Sequence, residues 1–437
     1  MLNKNSLRNK IEKLFSSNLI KQIGIVIAVT VACASIFFAG YFVNYFASSK
    51  QLRSIRFFLD AYEEYYYKQE DMNFVDVLVE GALDEYSEYF TKEEFQAYEQ
   101  KGEGVRVGFG IGISGRKITK VLGNSPAEKI GLTAGGEVLA FKNFDSQEFT
   151  VCENDKQLND FLNQANSLIT LKVAYGEEIK EFSFGKEEYI ENYVFYSDST
   201  GNYRYVGNSE QMNLTKYTGE KLNLNEGWGY LRFTAFNGKA DGTMGGVGQF
   251  AGALELFKQN GNSKIIIDLR SNGGGYLSIL CDIASYLCND QSGKSFVCQK
   301  KEYKNGNIVE SYAPKSKYNN YGFEKIVILV NSTTASASEA LVGAVLDYDK
   351  FSNANIARVI IDPLITEEGI EYRSFGKGIL QSTCKNPLSG EVIKLTTAGV
   401  FWPLSNTSIH KTGINPTLDK RIIANTYGDA IAFAQTM

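Results

Sequence analysis

Histidine is nearly absent. The 437-residue chain holds one, His410. A Ser-His-Asp triad has no other residue to use as base, and a zinc site with several His ligands is excluded. A hydrolase made from this chain must take Lys, Asp or Glu as its base. Proline is scarce, at 6 residues, which argues against long disordered linkers. The six cysteines (Cys33, Cys152, Cys281, Cys288, Cys298 and Cys384) contain no C-x-x-C pair, so neither a zinc knuckle nor a thioredoxin motif is indicated. Cys281 and Cys288 can share a helix face, but two turns apart they are too distant to bridge. The cysteines read mostly as small buried apolar residues. A basic excess is lacking too: 45 Lys and Arg stand against 50 Asp and Glu, a net charge of −5. Nucleic acid is therefore not indicated as a partner.

What is present is ordinary for a globular chain of two or three domains: 43% hydrophobic and 22% charged, with 26 Tyr and 28 Phe. The N-terminus is different. Lys4, Arg8, Lys10, Lys13 and Lys21 precede a stretch with no charge until Lys50. Ile23 to Val43 is long enough to span a bilayer as a helix. Positive charge before it places the N-terminus in the cytoplasm and the rest outside the cell or in the periplasm. A cleaved signal peptide is the competing reading, but no small-x-small site ends the run. Cys33 follows Thr30-Val31-Ala32, a poor lipidation box. The expectation is a single-pass anchor through residues 23–43.

Four regions follow from the patterning: tail and anchor at 1–50, a helical segment at 51–100, a β-rich domain at 101–185 and an α/β core at 186–437. Thr91 with Glu94 is a capping-box signal. In 101–185, Gly-rich stretches interleave with Val and Ile, and Pro126 is placed to start a short helix. This region resembles a PDZ domain. Gly108-Phe109-Gly110-Ile111 matches the loop whose backbone N–H groups hold a peptide's terminal carboxylate, and Ser125-Pro126-Ala127 with Gly131-Leu132 matches the family's helix segment. Gly135-Gly136 replaces the usual Gly-Asp. From Trp228 onward strands and helices alternate, giving a mixed α/β class.

Three motifs of the core carry chemistry. The strand Ile265–Leu269 runs into Arg270-Ser271-Asn272-Gly273-Gly274-Gly275, where a Gly run lets backbone N–H groups approach a ligand. It lacks the Lys-Ser/Thr ending of a P-loop. The apolar run Ile326–Val330 feeds Asn331-Ser332-Thr333-Thr334-Ala335-Ser336-Ala337-Ser338-Glu339, which opens a helix. Hydroxyls there sit beside free helix N–H groups, where a nucleophile and an oxyanion hole can be built together. Read alone, they only cap the helix. The third motif is Ser374-Phe375-Gly376-Lys377-Gly378, followed by Gln381.

In this order the three motifs resemble the C-terminal processing, or tail-specific, proteases. Tyr86 to Phe95, Gly229-Tyr230-Leu231-Arg232-Phe233, Trp402-Pro403 and Gly413-Ile414-Asn415-Pro416 match as well. The resemblance implies a Ser/Lys dyad: Ser336 as nucleophile, Lys377 as general base, and Asp347, three helical turns on, as a supporting acid. It implies the backbone N–H groups of Gly274 and Ala337 as oxyanion donors. A lysine base needs its ordinary pKa of ~10.4 lowered by burial, and Phe375, Ile379 and Leu380 are apolar neighbours for it. The stretch from Asp347 to Lys377 is longer than the family's, with residues 350–373 expected as an inserted surface loop. Thr417 stands where an acid is common, and His410 reads as structural.

The expectation is a membrane-anchored serine endopeptidase that cleaves proteins near their C-termini, with PDZ-like recognition of apolar tails by Gly108, Phe109, Gly110 and Ile111. No metal or other cofactor is implied, and a homo-oligomer is compatible with it. The alternative is a catalytically silent PDZ-based scaffold. A small-ester α/β hydrolase is a further rival, but the chain has no G-x-S-x-G elbow.

Overall fold

The computed structural model of the protein describes residues 23–31, 34–36, 39, 52, 54–59 and 74–437, apart from 166–167, 208–210, 220, 239–244, 290–294, 303–305 and 314–319. The chain divides into two compact units, Met1–Phe74 and Val75–Met437. In the first, residues 23–31, 34–36 and 39 are helical, and so are 54–59. The rest of the expected anchor lies outside the described residues. Among the described residues, no helix is long and apolar enough to cross a membrane.

The second unit begins with the helical turns up to Ala82, then differs from the helical expectation. Glu88–Phe90 is a strand, β1, before helix α1 at Lys92–Gly102. β1 pairs antiparallel with the strand Val392–Phe401. Tertiary pairing of Tyr89 and Phe90 overrides local helix preference here. The Thr91/Glu94 capping box forms: the Glu94 N–H donates to Thr91 Oγ1 (3.3 Å) and the Thr91 N–H donates to Glu94 Oε2 (2.8 Å). That fixes where α1 starts.

Residues 111–184 form a six-stranded antiparallel sheet with the helix Asp155–Gln164. Its core is its own, built on Ile118, Val138, Leu158, Leu162, Ile169 and Leu171. The strand Ile111–Ser114 lies at one edge and, among the described residues, pairs with Lys117–Val121 alone.

The core sheet has eight strands. Its antiparallel flank is Met212–Tyr217, Gly201–Gly207 and Val194–Asp198. Next come β2 (Trp228–Phe233), β3 (Lys264–Asp268), β4 (Lys325–Val330) and β5 (Ala357–Ile361), then Ile422–Ala424, all parallel to one another. Side chains alternate between faces as the pleat requires. Ile265, Ile267, Ile326, Ile328 and Val330 enter the main core. Ile266, Val327 and Leu329 face the other way, under the short C-terminal helix Ala430–Ala434. Both faces are buried, which explains the continuous apolar runs of β3 and β4. The main core is closed by helices α2 (Gly246–Gln259), α3 (Leu277–Leu287) and α4 (Ala337–Phe351).

A second, mixed-length sheet carries β1, Cys298–Glu302, Ile308–Tyr312, Ile379–Lys385 and Val392–Phe401. It is joined to α4 through Trp402, whose ring lies over Gly343. A Cβ built on Gly343 would stand 2.0 Å from Trp402 Cδ1. The expected inserted loop is only partly loop. It contributes β5 to the core, then a hairpin, Leu364–Thr366 with Gly369–Glu371, that exposes Ile365 and Ile370. Cys152, Cys281, Cys288 and Cys298 are buried and Cys384 is exposed; Cys33 lies outside the described residues.

Helix propensity alone favours Gly343→Ala by about 1 kcal/mol. The Trp402 contact reverses the sign: overpacking costs about 1–3 kcal/mol. A urea titration of the Gly343→Ala variant is expected to show a lower midpoint than wild type; a higher one would refute this packing.

Candidate active site

The parallel strands end at one edge of the sheet, and loops leaving the carboxyl ends of β3 and β4 meet there. Asn272, fully buried, ties them together. Its Nδ2 donates to the Phe233 carbonyl at the end of β2 (2.9 Å), and its Oδ1 accepts from the Gly274 N–H (2.9 Å). Its own carbonyl accepts from the Ala335 N–H (3.1 Å) and from Ser338 Oγ (3.0 Å). Thr334 Oγ1 donates to the Leu269 carbonyl (2.9 Å). The Gly-rich loop and the Ser336 turn are thus one hydrogen-bonded unit. Gly274 must be glycine: it sits at φ +97, and a Cβ would lie 2.8 Å from Ala337 N and Ser336 Cβ. Below the loop, Arg270 bridges buried Asp268 (2.6 Å) and Asp362 (2.8 Å), and Tyr230 Oη donates to Asp268 (2.7 Å).

Ser336 immediately precedes α4 with φ +59 and ψ −116, a conformation L-residues avoid. It lines a cavity of about 770 Å3 together with Ala337, Gly273, Gly275, Lys377 and Gln381. One wall is α1, through Phe95, Tyr98 and Gly102.

Glu339 makes the site. It is fully buried at the start of α4. Its Oε2 accepts from the Ser336 N–H (2.8 Å) and the Lys377 N–H (2.9 Å). Its Oε1 accepts from Ser374 Oγ (2.5 Å) and the Gly376 N–H (2.7 Å). One carboxylate therefore fixes both the Ser336 turn and the Lys377 loop. Burial pushes its carboxyl above the ordinary value, against the opposing pull of these four donors. Ser374 Oγ in turn accepts from the Ile414 N–H (2.6 Å), tying in the C-terminal motif.

Lys377 is half-buried. Burial holds its amine below the ordinary lysine value, helped by the nearby Lys394 charge and opposed by the carboxylates of Glu88 and Asp84. Of the local apolar set expected from the sequence, Ile379 and Leu380 line the cavity with Lys377, but Phe375 is 47% exposed. Further cover comes from Tyr86, whose ring centroid is 4.8 Å from Lys377 Nζ. Lys377 Nζ donates to Gln381 Oε1 (2.9 Å), and Gln381 Nε2 donates to the Tyr86 carbonyl. Among the described residues no hydrogen bond joins Lys377 Nζ to Ser336 Oγ, though both line the cavity.

The other expected site residues fall as follows. The Ala337 N–H, the first of α4, has no acceptor among the described residues. The Gly274 N–H does have one, Asn272, a difference from the expected free donor. Asp347 is away from the cavity. Its Oδ2 accepts from the Leu404 and Ser405 N–H groups (both 2.8 Å), so it anchors the turn after Trp402 and is not in contact with the Ser336 turn. Eleven residues of α-helix separate it from Ser336 by roughly 16 Å. His410 packs its backbone against Gly378 and does not line the cavity. Gly108 ends the strand Val105–Gly108, Ile111 starts the strand Ile111–Ser114, and Phe109 and Gly110 join them; none of the four lines the cavity. Glu339, Asn272, Ser374 and Tyr86 had no role from sequence, and neither did Gln381. Glu339 alone carried a local signal, an acid three residues after a helix-capping Ser.

The fold and site together define an α/β hydrolytic core with a serine on a strained strand-to-helix turn and a lysine in the same cavity. Residues 227–354 match the model of peptidase family S41. The probable CtpA-like serine protease of Staphylococcus aureus (strain N315) is 26% identical over 360 residues, 80% of this chain and 61% of that protein. The namesake of Staphylococcus haemolyticus (strain JCSC1435) is 24% identical over 388 residues, 86% of this chain and 66% of that protein. This chain thus spans about 61% of the length of the first of these relatives. An S41 protease of Bacteroides fragilis NCTC 9343 shares the fold, with a TM-score of 0.52 and 14% identity over 85% of this chain and 90% of that one. The match to peptidase family S41 thus covers residues 227–354, from β2 through α4, and the chain is similar to serine proteases over most of its length.

Replacing Glu339 by Gln puts an N–H2 where four donors converge. At least one buried N–H is then orphaned, at about 1–3 kcal/mol. Glu339→Gln is expected to unfold at lower urea and to react with a fluorophosphonate probe at Ser336 at least tenfold more slowly; unchanged labelling would show that the carboxylate does not set the turn.

Proposed function

We infer that the protein is a membrane-anchored serine endopeptidase that cleaves protein substrates near their C-termini through a Ser336/Lys377 dyad. The observation that carries this is the Glu339 carboxylate. It holds a strained serine turn and a half-buried lysine to one cavity. Ser336 Oγ attacks the scissile carbonyl carbon as its proton passes to neutral Lys377 Nζ. The ammonium then protonates the departing amine. Water attacks the resulting ester, gives its proton to Lys377, and the acid product leaves with Ser336 restored. The match of residues 227–354 to peptidase family S41 and the similarity to serine proteases support the reaction class.

PDZ-like recognition of apolar C-terminal tails is part of the same proposal. Its support is geometric. Among the described residues the N–H groups of Phe109 and Gly110 have no acceptor, while their carbonyls accept from Ala127 (3.1 Å) and Leu122 (2.8 Å). Among the described residues the adjoining strand Ile111–Ser114 has one unpaired edge, on which an extended tail can add as a strand. Anchoring through residues 23–43, with the catalytic part outside the cytoplasm, rests on the uncharged run and the lysines before it.

The second reading, a silent scaffold, is favoured by one observation: Lys377 Nζ bonds Gln381 and not Ser336. Turnover decides between them. Wild type is expected to cleave an unfolded protein with an apolar C-terminus, and Ser336→Ala and Lys377→Ala each to lose at least a thousandfold. Because the folded lysine lies below its ordinary value, the neutral amine grows in as pH rises through that lowered value. kcat/KM is therefore expected to climb with pH and level off below about pH 10, the free-lysine range. Binding of the tail peptide without cleavage by any form would favour the scaffold.

A further inference from the structure

The lysine's charged form has an unusual set of neighbours. Lys377 Nζ faces a ring, Tyr86 (4.8 Å to the centroid), and an amide carbonyl, Gln381 Oε1 (2.9 Å). No carboxylate accepts from it among the described residues. The nearby charges are committed elsewhere: Lys394 is paired with Glu88, and Asp84 accepts from Ser87 Oγ (2.8 Å) and the Tyr86 N–H (3.2 Å). Glu339 is engaged by backbone N–H groups and Ser374.

We propose that Tyr86 is a positioning residue for the reaction, its ring face receiving the ammonium that Lys377 becomes when it takes the Ser336 proton. The inference rests on the Ser/Lys reading above. The chemistry asks for a compromise that this arrangement supplies. A carboxylate in contact with the amine would hold it protonated at neutral pH and remove the base. An apolar wall alone would favour the neutral amine but leave the ammonium of the tetrahedral intermediate without a partner. An aromatic face attracts a cation through its quadrupole and does so more weakly than an anion. It therefore stabilises the charged form as it appears without fixing it in the resting enzyme. Tyr86 also places Gln381, but through its main-chain carbonyl, so side-chain substitutions leave that bond in place.

The test compares full-length wild type, Tyr86→Phe and Tyr86→Leu. Competitive acetylation of amino groups across pH, read by mass spectrometry on the Lys377 peptide, gives the lysine's pKa whether or not the enzyme turns over. Tyr86→Leu keeps an apolar cover but loses the ring. Its Lys377 pKa is expected to fall by about half to one pH unit. Tyr86→Phe keeps the ring face and is expected to match wild type. On substrate, the acidic limb of kcat/KM moves down by the same amount in Tyr86→Leu, and kcat falls several-fold with KM nearly unchanged. Equal pKa values in wild type and Tyr86→Leu, or the same fall in both variants, would overturn the proposal. Cleavage that survives in Lys377→Ala would instead sink the Ser/Lys reading, and the acetylation result would stand apart from it.

Discussion

The arrangement depends on one buried carboxylate with four donors. A residue at φ +59 and ψ −116 stores about 1–3 kcal/mol of backbone strain. Left alone, the turn at Ser336 would relax into a regular helix start. Glu339 opposes this by accepting from the Ser336 N–H, as a capping-box acid does, while the same carboxylate also binds the distant Lys377 loop. Hydrogen bonds to a charged group contribute about 1.5–3 kcal/mol each, so a few outweigh the strain. The remaining donors come from residues 374–377, some 35 positions away in sequence. Serine geometry and lysine geometry are consequently not independent. A change that loosens one loosens the other.

Much of this was legible in the sequence, for physical reasons. β3 and β4 are continuous apolar runs because both faces of the sheet are covered, and the small-residue turn after β4 could only be a tight entry into α4. Ser336, Ala337 and Lys377 were found by motif, and the structure puts all three in one cavity. What was not legible lies in tertiary contacts between distant segments. Nothing near Lys377 in sequence names Tyr86 as its cover, nor Asn272 as the acceptor for Gly274. Asp347 shows the converse. An acid on the same helix as the serine looks local, but three turns of helix carry it out of the cavity and onto the Leu404–Ser405 turn. The strand Glu88–Phe90 was read as helix because its partner, Val392–Phe401, lies three hundred residues on.

The strap formed by residues 86–102 has the same long-range character. Its first end meets Lys377 and Gln381 through Tyr86. Its last end meets the opposite rim: the Gly102 carbonyl accepts from the Gly238 N–H (2.7 Å), and the Tyr276 hydroxyl fills the space where a Gly102 side chain would be. α1 is thus part of the cavity wall. It continues into the strand Val105–Gly108, where the Gly108–Ile111 loop begins. A short, continuous piece of backbone thus joins the Ser336 cavity to the Gly108–Ile111 loop.

On the Ser/Lys reading, the two oxyanion donors differ in a way that bears on rate. The Ala337 N–H is open. The Gly274 N–H rests on a neutral amide oxygen, Asn272 Oδ1, at 2.9 Å. A neutral bond of that kind nets about 0.5–1.5 kcal/mol, and a charge-assisted one is roughly twice as strong. A ground-state peptide carbonyl is itself a neutral acceptor, so it gains little by competing with Asn272. An oxyanion does gain, because it offers the stronger bond to the same donor. Opening the internal bond costs the same for either ligand, so the oxyanion's advantage lies in its stronger bond to the Gly274 N–H. Only interactions that strengthen toward the transition state accelerate the chemical step. At Gly274 the gain toward the transition state comes from the charge on the acceptor, net of the Asn272 bond that must open.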